Sequence, residues 1–376
     1  MTFIPYGRQL IDEEDIKAVG EVLRSDWLTT GPMVGRFEQA VCAFTGARFC
    51  VAVSSGTAAL HATMSAIGIG PGDEVIVPAI TFVATANAVV YTGAKPVFAD
   101  VDSDTLLIDP VDVARKITPM TRAVIAVDYA GQPCDYDALR AIADGYGIAL
   151  VADACHALGA KYKGRGAGTL ADMTCFSFHP VKHITTGEGG MIATDDEELA
   201  KKMRRFRNHG VMTDQREREA QGTWRYDMVE LGFNYRLSDM QCALGVSQVK
   251  KLPVWLERRK EIASLYDKAF SAPDRVSPLA VKAGVDHAYH LYVVRLAGKD
   301  ERQKAYDGMR RQGIGVNVHY LPVYLHSYYR QRFGTSDGLC PRAEAAYGHI
   351  LTLPIHQGME DEDAQYVASS LRSFMS

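Results

Sequence analysis

The chain has 376 residues, 47% hydrophobic and 23% charged, the proportions of a globular protein with a large buried core. A formal net charge of −4 gives no electrostatic support to binding nucleic acid or an anionic membrane, and no uninterrupted apolar run is long enough to span a bilayer. Seven cysteines with no C-x-x-C pair exclude the zinc spacing patterns and make disulfide stapling unexpected; together with an N-terminus, Met1–Tyr6, that lacks a signal-peptide pattern, they place the chain in the cytoplasm.

In chain order, Val51-Ala-Val-Ser-Ser-Gly-Thr-Ala-Ala-Leu60 reads as a strand, a tight turn and the start of a helix. Short strands follow at 73–77, 95–99, 122–127 and 148–152, with helical patterns such as 135–146 between them. This alternation predicts a mostly parallel sheet covered by helices on both faces. Residues 164–168 are glycine-rich and read as a loop. Strands at 174–178 and 190–194 flank a glycine-rich segment. A helix over 195–207 opens with acids and closes with bases, in the sense that suits its dipole. The polar stretch 213–225 reads as a mobile loop. A long helical pattern runs from Ser238 to about Phe270 and is expected to break at Pro253. That break sets the expected division, a large domain over 1–250 with an N-terminal segment and a smaller α/β domain over 251–376. The latter contains a strand at 290–296 and helices at 302–312 and 361–374.

Three segments carry chemistry. Lys182 lies in Ser177-Phe-His-Pro-Val-Lys-His-Ile-Thr-Thr-Gly-Glu-Gly-Gly190, where glycines allow close backbone approach and Thr185, Thr186 and Glu188 offer hydrogen bonds. A lysine in such a setting can capture a carbonyl group. Asp153 ends the apolar run Gly147–Ala152, at the edge of an α/β sheet where ligands bind. Its carboxylate suits a protonated pyridine nitrogen, or the first turn of a helix. At Ser55, Gly56 and Thr57 a helix N-terminus offers amides and hydroxyls to a phosphate. A phosphate cradle, a pyridinium partner and a carbonyl-capturing lysine are the three anchors of pyridoxal 5′-phosphate, PLP. Cys155 is the one cysteine close to these anchors, and it reads as a small packing residue.

The segments Ser54–Leu60, Thr81–Ala88, Asp153–Ala157, Ser177–Gly190 and Gly232-Phe-Asn-Tyr-Arg-Leu237 resemble the DegT/DnrJ/EryC1/StrS family of PLP-dependent nucleotide-sugar aminotransferases. The likeness runs from Leu28-Thr-Thr-Gly-Pro32 to Leu353-Pro-Ile-His356. Within the family, Val127–Gly131, Ser177–His179, Lys182–Thr186 and Val318-His-Tyr320 are most similar to members that aminate a UDP-linked 4-keto hexose on the route to pseudaminic acid. The resemblance implies the fold type I architecture of PLP enzymes, the aspartate aminotransferase-like fold. It also implies L-glutamate as amino donor and a homodimer with shared active sites. It assigns Lys182 and Asp153 to catalysis, His156 to the PLP 3′-oxygen, Ser177 to the phosphate or the sugar, and Asn234 to the phosphate of the neighbouring subunit. Nucleotide-sugar contacts are implied for Tyr6, Asp26, Trp27, Leu28, Thr29, Ser55, Ser177, Asn234, Val318, His319 and Tyr320. Tyr6 and Trp27 suit stacking on uracil or packing on sugar carbons. His319 and Tyr320 suit donation to the diphosphate or to hydroxyls. Phe82 is either a platform for the pyridine ring or a core residue. His156 and Asn234 equally suit a structural histidine and a turn residue. Some relatives are PLP-dependent sugar dehydratases with histidine in the lysine position; Lys182 there favours transamination, of this sugar or of another UDP- or dTDP-linked keto sugar.

Overall fold

The structure, a computed structural model, describes residues 3–213, 218, 220, 222–271 and 275–375. The strands are β1 (Phe49–Val53), β2 (Glu74–Pro78), β3 (Lys95–Ala99), β4 (Thr121–Val127), β5 (Ala149–Asp153), β6 (Lys161–Tyr162), β7 (Arg165–Gly166), β8 (Met173–Ser177), β9 (Gly190–Thr194), β10 (Val276–Pro278), β11 (Val285–Asp286), β12 (Tyr292–Leu296) and β13 (Ile350–Leu353). Seven of them form one sheet in the order β1-β9-β8-β5-β4-β2-β3. All pairings in it are parallel except those of β9, which runs antiparallel to β1 and β8. Its strands are short and almost wholly buried, as expected where helices cover both faces.

Register decides where the chemistry falls. Val127 pairs with Asp153 and Asp153 with Cys175. On the other side Ser177 pairs with Gly190, and Gly190 with Val53. The ends of β1, β4, β5 and β8 therefore meet the start of β9 along one edge, the carboxyl edge of the parallel strands. Ser55, Asp153 and the β8–β9 connection carrying Lys182 all emerge there. The glycine-rich 164–168 segment, expected as a loop, instead includes β7 and a 3₁₀ turn over Ala167–Thr169.

The helix over Asp239–Ala269 corrects an expectation, because it continues through Pro253. Proline removes one backbone donor and costs about 3 kcal/mol in a helix interior. Burial of Leu252, Trp255 and Leu256 on one side and Ile262 and Tyr266 further along outweighs that, at roughly 1.5–3 kcal/mol for each large apolar side chain. The helix serves two apolar clusters. Val249, Leu252, Trp255 and Leu256 pack with the large sheet. Ile262, Ala263 and Tyr266 pack with β10, β12, β13 and the helix over Asp361–Met375. The expected division at 250/251 thus lies inside a continuous helix. The C-terminal residues Leu291, Val293, Val323, Tyr324 and Ile350 join the large core directly. Of the expected loop at 213–225, residues 214–217, 219 and 221 lie outside the described residues. Among the described residues no helix is long and apolar enough to cross a membrane.

Candidate active site

A cavity of about 550 Å³ opens at this sheet edge. Of the residues singled out in the sequence, Tyr6, Ser55, Gly56, Thr57, Phe82, Asp153, His156, Ser177, Lys182, Val318, His319 and Tyr320 line it. They come from six separate stretches of chain, so their convergence is a product of the fold.

Lys182 is presented by a loop that bonds to itself. Its own amide donates to the His179 carbonyl at 2.8 Å. Thr186 N and Thr185 Oγ1 both donate to the Phe178 carbonyl at 3.0 Å, and Thr186 Oγ1 donates to the Glu188 carbonyl at 2.7 Å. Gln241 Nε2, in the first turn of the long helix, also donates to the Glu188 carbonyl, at 2.8 Å. Burial pushes the Lys182 amine below its usual range, and Cys155 and Asp153 partly oppose that. A depressed ammonium pKa raises the fraction of neutral, nucleophilic amine.

Asp153 is held from behind. Thr85 Oγ1 donates to its Oδ2 at 2.7 Å, and the Cys155 amide donates to its Oδ1 at 3.3 Å. The single Thr85 hydroxyl proton is thereby committed, so Thr81 Oγ1 is the donor in the 2.7 Å Thr81–Thr85 contact. Neither threonine had been assigned a role from the sequence. The available signal was their i, i+4 spacing within an otherwise apolar stretch. Burial, followed by the charge of Asp153, pushes the Cys155 thiol up, so it is an inert packing thiol.

Ser55 caps the helix Gly56–Ala66, accepting from Ala58 N at 3.0 Å, which leaves its own proton free to donate. Gly56 is needed for space: a Cβ there would lie 2.9 Å from Ser177 Cβ and 3.1 Å from Cys155 Sγ. Phe82 is the N-cap residue of the helix Val83–Tyr91 and is 57% exposed, so the core reading of it is set aside. Its ring lies 6.0 Å from that of Tyr320.

His319 is not a free donor. Its Nδ1 lies 2.9 Å from Thr352 Oγ1 and its Nε2 3.3 Å from Asn317 Nδ2, while its carbonyl accepts from the Tyr129 hydroxyl. Burial, then the charge of Lys182, lowers its pKa to about 3. Within the single chain, Asp26, Trp27, Leu28 and Thr29 do not line the cavity, and neither does Asn234, which is expected to act in the neighbouring subunit's site. The 26–29 segment is drawn instead to the start of the long helix, where Asp239 N donates to the Leu28 carbonyl at 3.1 Å and Thr29 bridges Ser238. Asn234 is exposed and bridges Asn208. The sequence reading also missed His290 and Asn317, both in the cavity wall.

Residues 9–372 match the DegT/DnrJ/EryC1/StrS aminotransferase family. The chain belongs to this family. It is 42% identical over 379 residues to the spore coat polysaccharide biosynthesis protein SpsC of Bacillus subtilis, covering 99% of this chain and 97% of that one. Its fold superposes on Spr1654 from Streptococcus pneumoniae in its PMP form with a TM-score of 0.94, at 34% identity and 99% coverage of both chains. Helicobacter pylori PseC, an aminotransferase involved in the biosynthesis of pseudoaminic acid, gives 0.93 at 33% identity, covering 100% of this chain and 99% of that one. Spr1654 is also known in a PLP form. This member of the family is a PLP-dependent aminotransferase with the fold type I architecture. The cavity fits that cofactor. It offers a lysine whose pKa burial lowers, a buried carboxylate with lone pairs to spare, and a helix N-terminus whose glycine leaves room for a phosphate.

Proposed function

We propose that the enzyme transfers an amino group from L-glutamate to C4 of a UDP-linked 4-keto-6-deoxy-N-acetylhexosamine, giving UDP-4-amino-4,6-dideoxy-N-acetyl-β-L-altrosamine. The observation that carries the reading is the convergence of Lys182, Asp153 and the Ser55–Thr57 cradle in one cavity of a chain similar over its whole length to PseC. When bound, PLP supplies the electron sink. The roles of the chain's own side chains follow from their surroundings. Lys182 would hold the cofactor at rest, and its amine Nζ, when neutral, would serve as the base that takes the proton from the donor α-carbon. Asp153 keeps the pyridine nitrogen protonated, with Thr85 fixing its carboxylate. Ser55, Gly56, Thr57 and Ser177 would hold the phosphate. His156, in the cavity wall, would hydrogen-bond the 3′-oxygen. At the mouth, Tyr6, Phe82 and Tyr320 offer ring faces to sugar carbons and the uracil ring.

In this reading the enzyme is a homodimer, and Asn234 reaches the phosphate of the partner's site. Support comes from the apolar side chains around it. Trp224, Tyr226, Met228, Val229, Leu231 and Phe233 are all exposed, with Trp224 at 82% and Leu231 at 76%, as expected of a surface covered by a second copy. The seven cysteines are free, which suits a reducing cytoplasm. The test is a panel of UDP- and dTDP-linked keto sugars assayed with L-glutamate, with product mass and stereochemistry determined. Preference for the UDP-linked 4-keto-6-deoxy-N-acetylhexosamine supports the assignment. Preference for another keto sugar moves it elsewhere in the family, and loss of a sugar hydroxyl without amination makes the enzyme a dehydratase.

A further inference from the structure

Behind Lys182 the cavity is backed by imidazoles. His156, His183 and His290 are 5%, 1% and 4% exposed, and the Nδ1 atom of each has no hydrogen-bond partner among the described residues. His183 is pinned, because its Nε2 lies 2.9 Å from the Ala288 carbonyl, an obligate acceptor. Among the described residues His156 has one polar side-chain contact, from Nε2 to the Tyr320 hydroxyl at 3.3 Å. A single bond of that length does not fix a ring that can turn about χ2. Packing must do the rest. The His290 ring lies 4.3 Å from that of His156, against 6.2 Å for Tyr320 and 6.5 Å for Tyr129.

The backbone that carries His290 is firmly held, and its ring is buried. The amides of Ala288 and Leu291 donate to the carbonyls of Gly131 and Ala130 at 2.9 and 3.1 Å. The wholly buried Arg259 donates to the Tyr289 carbonyl at 3.0 Å. Gly131 has a φ of +103°, and a Cβ on it would lie 2.8 Å from the His156 carbonyl oxygen and 3.0 Å from His290 N. Three backbones are thus brought together where only glycine fits.

We propose that His290 is a positioning residue for the reaction: its ring holds the His156 imidazole in the orientation that presents Nε2 and the Tyr320 hydroxyl to the cavity. This rests on the reading of His156 as a cofactor-facing side chain. His290 acts through ring contact, so phenylalanine at 290 preserves the function and alanine does not.

Two measurements test it. In the cofactor-free protein, diethyl pyrocarbonate modification of His156, followed by peptide mass, is expected to be slow in wild type and His290→Phe, and about tenfold faster in His290→Ala, where the ring is released. In the PLP-loaded enzyme, conversion to the pyridoxamine form by L-glutamate should fall about tenfold in His290→Ala and stay within about threefold of wild type in His290→Phe. In a His156→Ala background, His290→Ala should change the rate by less than about twofold. Equal losses from His290→Ala in both backgrounds, or a His290→Phe variant as impaired as His290→Ala while equally folded, would overturn the proposal. An unchanged modification rate overturns it without reference to catalysis. A normal rate for His156→Ala alone removes the reading of His156, a failure visible before His290 is altered.

Discussion

Asp153→Asn isolates the electronic role of one side chain at nearly constant shape. The carboxylate accepts from Thr85 Oγ1 at 2.7 Å and from Cys155 N at 3.3 Å. An asparagine can keep its carbonyl oxygen on Thr85. Its NH₂ group then faces the Cys155 N–H, donor against donor. Losing that long contact costs about 1 kcal/mol of stability, too little to unfold a domain of this size. The loss of charge matters more. A close carboxylate raises the pKa of a neighbouring cation by ~1–3 units. At about 1.4 kcal/mol per unit this is roughly 1.4–4 kcal/mol of electron-sink stabilisation, or about 10- to 1000-fold in turnover. The assay is steady-state amination with saturating PLP, alongside cofactor content by absorbance and thermal unfolding. Turnover within about threefold of wild type, or a loss fully restored by excess PLP, would refute the electronic role and leave Asp153 a binding residue.

A second carboxyl, Asp128, gives a pH-dependent prediction. It is wholly buried, accepts from Cys134 N at 3.0 Å and Tyr136 Oη at 2.9 Å, and leaves Oδ2 without a partner among the described residues. Burial above all, with Asp153 adding to it, raises its pKa from 3.8 to about 7. Between pH 4 and 7 the folded protein therefore holds a proton that the unfolded chain has released, so stability falls as pH rises through that window, by up to about 4 kcal/mol. Asp128→Asn cannot ionise and should lose less melting temperature than wild type between pH 5 and pH 8; parallel profiles would show that Asp128 titrates normally. For the shared site, chains carrying Lys182→Ala and chains carrying Asn234→Ala, each inactive alone, should regain activity when mixed and exchanged. Verified exchange without recovery would place Asn234 outside the partner's site.

The parts of this structure legible in the sequence are those written in local pattern. The β3 and β9 ranges were read to the residue, because short apolar runs bounded by turns mark buried strands. Lys182, Asp153 and the Ser55–Thr57 turn each carry their chemistry in a few adjacent residues. What escaped was pairing at a distance. Thr85 is tied to Asp153 across 68 positions, and nothing near residue 85 announces a carboxylate. His290 meets His156 because the 288–291 segment is strapped to Gly131. Pro253 misled for a related reason, since its local cost was read without the burial that the long helix gains on both sides. The 26–29 segment and Asn234 were assigned to the site by likeness, and in the single chain they flank the start of that helix.

The central claim is that Lys182 is the residue that binds PLP covalently. It is tested most directly by borohydride reduction of the PLP-loaded enzyme, followed by proteolysis and mass spectrometry. The account predicts a pyridoxyl mass on the peptide carrying Lys182 and none in the Lys182→Ala variant, because this amine lies in the cavity with its pKa lowered by burial. Pyridoxyl mass on another lysine, or unlabelled Lys182 in protein shown to contain PLP, would contradict it.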